Sequence, residues 1–484
     1  MRANSLSGEV KSRFDAVRRA SSWTLAVFAV TLSLIHYTPS LSYFFAQDDF
    51  LFLFHATQIE LSNPLSLFVP LADSPFYRPF STSTYFGVML RIFGLQPLPY
   101  HFFSLALFCG NVVLLLLIGS KFFGGYWGGF FTASYYLTRG TLFDVVSWVS
   151  GIQDLLMSFF VLLSMALYLR YRERDAKHLL LPLFAFVPAL LSKETAVVFP
   201  FFLVAYELLF GSAGQAKRWF VPLPFFLLAG IFLAVRSRYV VSLPNEGEYA
   251  TGFGLFWLTN LVNYARLCVN LLLLKDIIPR RYESFISGTV AALAVLAVVV
   301  LLLNWRRRGG KTAVIPCLLN GMTFRYAKHM AFGLFLFLFG VIPVLQFKSR
   351  VEAYYLSLAC IGASIIFAAA TLSLTSHRLR TALLIVTVLV ALFVNIRIRT
   401  ARLSHVGRFA PIARSAIEQF TPLLESASSG STLYVAGSDE YLRRALALDW
   451  GVKVFFPNVT TVIFEHHSPE YELDGSEIMI EYNH

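Results

Sequence analysis

The sequence predicts an all-α polytopic membrane protein of about eleven transmembrane helices, followed by a small soluble α/β tail. Three observations carry this prediction. The 484 residues are 57% hydrophobic and only 14% charged, where a soluble domain carries about 25% charged residues. Charge is missing from long apolar runs and gathered between them, as in helices that must satisfy their own backbone within lipid. Beyond about residue 411, polar residues return and short β-type runs appear.

The spans follow in order. Lys11, Arg13, Arg18 and Arg19 precede a first apolar run at 22–40. No small-residue cleavage site follows, so the run reads as a retained helix with its N-terminus in the cytoplasm. The segment 41–97 is then an outer loop, and the short apolar stretch 80–95 within it is expected to lie at the membrane surface. Spans are expected at 98–118, 127–145, 154–170, 178–191, 195–211 and 219–237. Lys121, then Arg170, Arg172, Arg174 and Lys177, then Lys217 and Arg218 fall on the cytoplasmic side in alternation. A full crossing by 255–275 would put Arg306, Arg307 and Arg308 outside, so that segment is expected to be re-entrant or non-spanning. Spans at 286–304, 330–346, 353–374 and 381–396 complete a transmembrane region over 1–400. The tail, 411–484, is then extracytoplasmic. Its amphipathic stretch 411–426 precedes β-type runs at 432–436, 453–456, 460–464 and 477–481. A unit this small is marginal alone and is expected to dock on the membrane part.

The net charge is +12 and the pI about 9.5. The basic residues lie in short juxtamembrane clusters, which fits the positive-inside rule and speaks against nucleic acid. An anionic, phosphate-bearing lipid is the sharper partner this charge suggests. Cys109, Cys268, Cys317 and Cys360 show neither metal-ligand spacing nor a disulfide framework. No cofactor is indicated. Asp48 and Asp49 could help bind a divalent cation, yet no His or Cys cluster accompanies them.

Ionisable residues near lipid cost about 2.5–3.5 kcal/mol each at a helix centre, so those that persist need a reason. Here they gather in five groups on the expected outer side. The doublet Asp48-Asp49 suits a general base or, equally, the cap of a following helix. Tyr77-Arg78-Pro79 offers an Arg fork for phosphate or an interfacial anchor, and His101 stands at the outer end of the next span. Asp144, Trp148, Ser150, Gly151 and Asp154 flank a short outer turn. Ser192-Lys193-Glu194-Thr195 is either a polar site or a self-neutralising pair in a tight hairpin. Lys348, Arg350, Glu352, Tyr354 and Tyr355 lie at another outer edge, where snorkelling is the plainer account of the basic residues. Five groups on one face form a convergent polar site more readily than any one alone.

The order DD, YRP, WVSG-x-x-D, LLSKET and E-x-Y-Y-L resembles the GT-C superfamily of membrane glycosyltransferases over about 22–375. It is most similar to the protein O-mannosyltransferases and the transmembrane O-mannosyltransferase group, with their bacterial relatives. The resemblance implies an inverting transfer of a sugar from a polyprenyl-phosphate carrier to an acceptor hydroxyl, on the outer face. For this chain that means an inner (plasma) membrane, a lipid-linked sugar donor, and a glycan, lipid or protein acceptor. It implies a base at Asp48 or Asp49, and substrate or lipid-phosphate contacts among Arg78, Tyr77, His101, Asp144, Asp154, Lys193, Glu194, Arg350, Glu352 and Tyr354. The chain departs from the family where Arg139-Gly140 and Leu142 replace a His-Pro pair and a second His, Asp144 replaces Glu, and Ile152 and Ala353 replace two Arg. A transporter or flippase of lipid-linked saccharides is the alternative of another class, though no internal repeat supports it. A catalytically inactive GT-C scaffold is the other.

Overall fold

The computed structural model describes residues 24, 26–60, 62–68, 76–172, 179–211, 220–240, 250–269, 326–374, 382, 385–386, 389, 393, 405–425, 427–465 and 477–482. The described residues are mostly helical, with one small sheet near the C-terminal end.

Helix α1, Ala26–Ser42, closes in a 3-10 turn at Pro39. An extended stretch leads to α2, Asp48–Thr57, whose first turn carries Asp48 and Asp49 where the amide ends of the helix favour negative charge. The stretch expected at the membrane surface is a π-helical turn, Phe80–Thr84, running into α3, Tyr85–Phe93. It packs against α2.

Three helices are long and apolar enough to cross a membrane among the described residues: α4, Pro97–Phe122; the segment Val149–Tyr171; and a later helix, Ala327–Leu345. At 1.5 Å per residue the 26 residues of α4 exceed the ~30 Å hydrocarbon core. The chain is an integral membrane protein.

Three expected spans take a different form among the described residues. The span at 127–145 breaks: α5, Tyr126–Leu137, is followed by a short turn, Gly140–Leu142, and by α6, Phe143–Ser147. The break falls where Arg139 takes an extended conformation (φ −79°, ψ 113°). After Trp148, α7, Ile152–Tyr171, resumes the long helix. The spans at 178–191 and 195–211 are, as described, α8, Leu180–Ser192, and α9, Phe199–Phe210. These are about 20 Å long or less, with the Lys193-Glu194 turn between them. Helix α10, Leu223–Tyr239, follows.

The segment 255–275 begins as α11, Phe256–Val269. Its start is tied to the end of α12, Ala327–Leu345: Asn260 donates to the carbonyls of Leu345 (3.2 Å) and Phe347 (2.7 Å). Whether that segment crosses, and the span at 286–304, lie outside the described residues. The span at 381–396 lies largely outside them. Helix α13, Ala359–Leu374, packs closely on α12. A Cβ on Gly362 would stand 2.3 Å from the Gly333 carbonyl oxygen, so the two backbones touch only because both positions are glycine.

Near the C-terminal end, α14, His405–Leu424, includes most of the expected amphipathic stretch. Phe409, Ala413, Ala416, Ile417, Phe420 and Leu424 form its buried stripe. Strands β1, Ser431–Ala436, β2, Val459–Phe464, and β3, Glu477–Glu481, form a parallel sheet in the order β2-β1-β3. Between β1 and β2 lie α15, Glu440–Ala445, and α16, Trp450–Phe455. The β-type run at 453–456 is thus corrected to helix. A short apolar run carries no decisive period, and the Lys453–Asp449 ion pair at 2.6 Å supports the helical spacing.

Candidate functional site

The adjacent carboxylates of α2 point apart, because consecutive helical residues are rotated by about 100°. Asp49 is fully buried. One of its oxygens accepts from the Ser150 amide (2.7 Å) and hydroxyl (2.5 Å), and the other from the Ala46 amide (3.0 Å). Trp148 donates its indole N–H to the Ala46 carbonyl at 3.2 Å. The W-x-S turn therefore grips the start of α2 at two points.

Asp48 is exposed and has no hydrogen bond or ion pair among the described residues. Neighbouring protein atoms still crowd its carboxyl. Desolvation raises its carboxyl pKa above the ordinary value, against the opposing charges of Arg350 and Arg78. Burial pushes Asp49 from 3.8 to about 7, and the negative charge of Asp48 adds to this. Its bonds from Ser150 and Ala46 oppose the rise.

The Arg78 carbonyl anchors the π-helical turn, accepting from the amides of Ser81 (3.2 Å) and Thr82 (3.0 Å). Its guanidinium lies over the Phe76 ring at 4.1 Å. It makes a two-point pair with Glu194, at 2.7 and 2.5 Å, and also donates to the Gln153 side-chain oxygen. Lys193, 4% exposed, binds Asp154 at 2.5 Å, and Ser357 donates to the other Asp154 oxygen at 3.0 Å. The rings of Tyr354 and Tyr355 stand 5.7 and 5.5 Å from the Lys193 ammonium. Arg350 donates to the Tyr354 hydroxyl at 2.9 Å.

Members of all five sequence groups thus converge through direct contacts or electrostatic reach: Asp48-Asp49, Arg78, Trp148 to Asp154, Lys193-Glu194, and Arg350 with Tyr354. The structure gives several of these residues protein partners of their own. Arg78 and Lys193, expected as cations for phosphate, are each held by a carboxylate that compensates their charge. Asp154 and Glu194 are those carboxylates. His101 is fully buried on α4. Tyr77 is also buried, its ring stacked on Tyr239 at 5.5 Å. Asp144 is half-buried on α6, and its carbonyl accepts the Trp148 amide at 3.0 Å. Glu352 is half-buried ahead of the Tyr354 turn.

Sequence reasoning missed Gln153, Ser357 and Gln47. Gln153 and Ser357 are uncharged and carry no spacing signal, although each adjoins a motif already singled out. Gln47 is distinguished by its backbone, at φ 57° and ψ −129°. Among the described residues no group of three or more His, Cys, Asp or Glu could hold a metal ion.

No protein-family model and no curated protein matches the chain. Among solved structures it is similar to the oligosaccharyltransferase of Archaeoglobus fulgidus in the apo form. The identity is 10% and the TM-score 0.45, over 93% of this chain and 64% of that one. The same protein tethered to an acceptor peptide containing the NVT sequon gives 9% identity and a TM-score of 0.42, with equal coverage. The chain therefore spans somewhat less than two thirds of the length of these structures. A likeness at this level assigns no role to any residue.

Proposed function

We propose that this chain is an inverting glycosyltransferase that moves a sugar from a polyprenyl-phosphate carrier to an acceptor hydroxyl. We place the reaction on the extracytoplasmic face of a bacterial inner membrane. The observation that carries this reading is the division of labour in the doublet. Asp49 is locked by three hydrogen bonds, while Asp48 is exposed and lies within the electrostatic reach of Arg350 and Arg78.

In this reading Asp48 takes the proton of the acceptor hydroxyl. The acceptor oxygen forms a bond to the anomeric carbon as the bond from that carbon to the phosphate oxygen breaks. The pair of electrons leaves with the lipid phosphate, on the opposite face of the sugar, which inverts the anomeric centre. A carboxylate with a raised pKa is a stronger base than an ordinary solvated one. Phosphate needs little acid catalysis, but its developing charge favours cations. Arg350 is the cation with the larger effect on Asp48, ahead of Arg78.

The test is transfer from a defined polyprenyl-phosphate sugar by purified protein in liposomes, with Asp48→Asn beside wild type. Wild-type transfer and an inactive variant support the base. Full activity in Asp48→Asn removes it. The compensated charges of Arg78 and Lys193 favour one second reading, a scaffold that binds polyprenyl phosphate without turnover, and the same preparation distinguishes it by binding without transfer.

A further inference from the structure

The residue before Asp48 sits in a conformation that ordinary side chains avoid. Gln47, at φ 57° and ψ −129°, has the angles of the first central residue of a type II′ turn, where glycine is the usual occupant. The Asp49 amide closes that turn on the Ala46 carbonyl at 3.3 Å. A non-glycine residue persists in such a region only when its surroundings over-determine it.

The surroundings come from the far end of the chain. The Gln47 amide donates to the carbonyl of Ala445 at 2.8 Å. Ala445 is the last residue of α15, so its carbonyl is among those the helix leaves without an internal partner. Two left-handed residues, Ala447 (φ 52°) and Leu448 (φ 64°), then reverse the chain into α16. Helix α16 lies on α2: Trp450 meets the Phe54 ring at 4.5 Å, and Phe455 meets Phe44 at 5.7 Å and Phe50 at 6.4 Å. Farther along, Arg414 of α14 donates to the Ser42 carbonyl at 3.2 Å. The C-terminal segment thus holds the approach to α2, its first amide and its outer face.

We propose that Gln47 is a positioning residue, and that the docked α15–α16 segment holds its left-handed backbone so that Asp48 stays exposed while Asp49 stays on Ser150. This rests on the glycosyltransferase reading for its catalytic consequence, but not for the hold itself. Without docking, Gln47 relaxes toward negative φ, the first turn of α2 rotates, and the Asp48 carboxylate moves away from the acceptor. Misplacement of a reacting group by about 1 Å is enough to cost about 100-fold in rate.

The experiment uses the full chain in nanodiscs. Trp450→Ala and, from the opposite side of the contact, Phe54→Ala are compared with wild type for thermal transition, hydrogen exchange over residues 46–50 and transfer kinetics. Both variants are expected to speed exchange at Gln47 and Asp49. They are also expected to lower kcat by about 100-fold, with the donor KM within about twofold. Trp450→Phe is expected to restore both. The decisive variant is Trp450→Ala combined with Gln47→Gly. Glycine holds the left-handed conformation without steric cost, so the pair is expected to regain at least about tenfold in kcat over Trp450→Ala alone. A general loss of folding would give no such rescue. Unchanged exchange in both single variants, or failure of Gln47→Gly to rescue a folded Trp450→Ala protein, overturns the proposal. If wild type transfers nothing from any polyprenyl-phosphate sugar, the glycosyltransferase reading fails by itself. The exchange data then decide whether Ala445 holds Gln47.

Discussion

Asp49 receives two hydrogen bonds from Ser150, one from its amide at 2.7 Å and one from its hydroxyl at 2.5 Å, across 101 residues of sequence. Ser150→Ala removes the hydroxyl and leaves that oxygen with the amide alone. A buried carboxyl short of a partner costs about 1–3 kcal/mol. The expected outcome is a protein that still folds but unfolds earlier, measured by thermal denaturation in detergent. No change in the transition would show that this contact does not anchor α2.

The raised pKa of Asp49 has a defined sign for stability. Its carboxyl ionises near 3.8 in the ordinary state and near 7 in the fold. Between those values the folded protein holds a proton that the unfolded chain has lost. Stability from this group is therefore complete below about pH 4, falls as pH rises toward about 7, and levels off above. Asp49→Asn removes this dependence. The melting temperature of wild type, measured from pH 4 to pH 8, should fall relative to that of the variant as pH rises from about 4 to about 7. Parallel curves would contradict the shift.

Asp48 predicts a kinetic dependence. As a base it acts only when ionised, and its pKa lies above the ordinary carboxylate value. Transfer is expected to fall on an acid limb displaced upward from that value. Removing the Arg350 charge with Arg350→Met should move the limb higher still, since that charge lowers the Asp48 pKa. An acid limb that ignores Arg350→Met would separate Asp48 from the rate-limiting proton transfer.

Arg78 and Glu194 form a partly buried two-point pair, with side chains 11% and 25% exposed. Removal of one member of a buried pair strands the other charge and typically costs about 3–5 kcal/mol, less where water reaches it. Arg78→Met and Glu194→Gln are each expected to destabilise the protein more than half as much as both together. A double-mutant cycle should give a coupling of about 0.5–3 kcal/mol. Additive effects would mean that the pair contributes no mutual stabilisation.

Much of the membrane part was legible because lipid imposes a local rule on sequence. The runs at 98–118, 154–170 and 330–346 match helices long enough to cross, since twenty consecutive apolar residues have few other uses. The break at Arg139 was less legible. The polar stretch Thr138-Arg139-Gly140-Thr141 marks it, but apolar residues resume at Leu142, and only the backbone shows that the helix stops there. The run at 453–456 failed for the opposite reason: four residues are too few for period 2 and period 3.6 to be told apart.

The candidate site was legible as a set of polar groups at the ends of apolar runs, because each ionisable residue near lipid needs a reason to be there. Their partnerships were not. The sequence by itself determined that this protein lies in a membrane and that Asp48, Asp49, Arg78, Asp154, Lys193, Glu194 and Arg350 stand near apolar edges. The tertiary structure decided that Asp49 is buried and Asp48 accessible, and that Arg78 answers Glu194 from 116 residues away. It also decided that Ala445 reaches back to Gln47. Hydropathy is a property of neighbours along the chain. Which of two adjacent carboxylates meets a hydroxyl depends on helix rotation and on contacts closed between distant segments, and no local pattern encodes either.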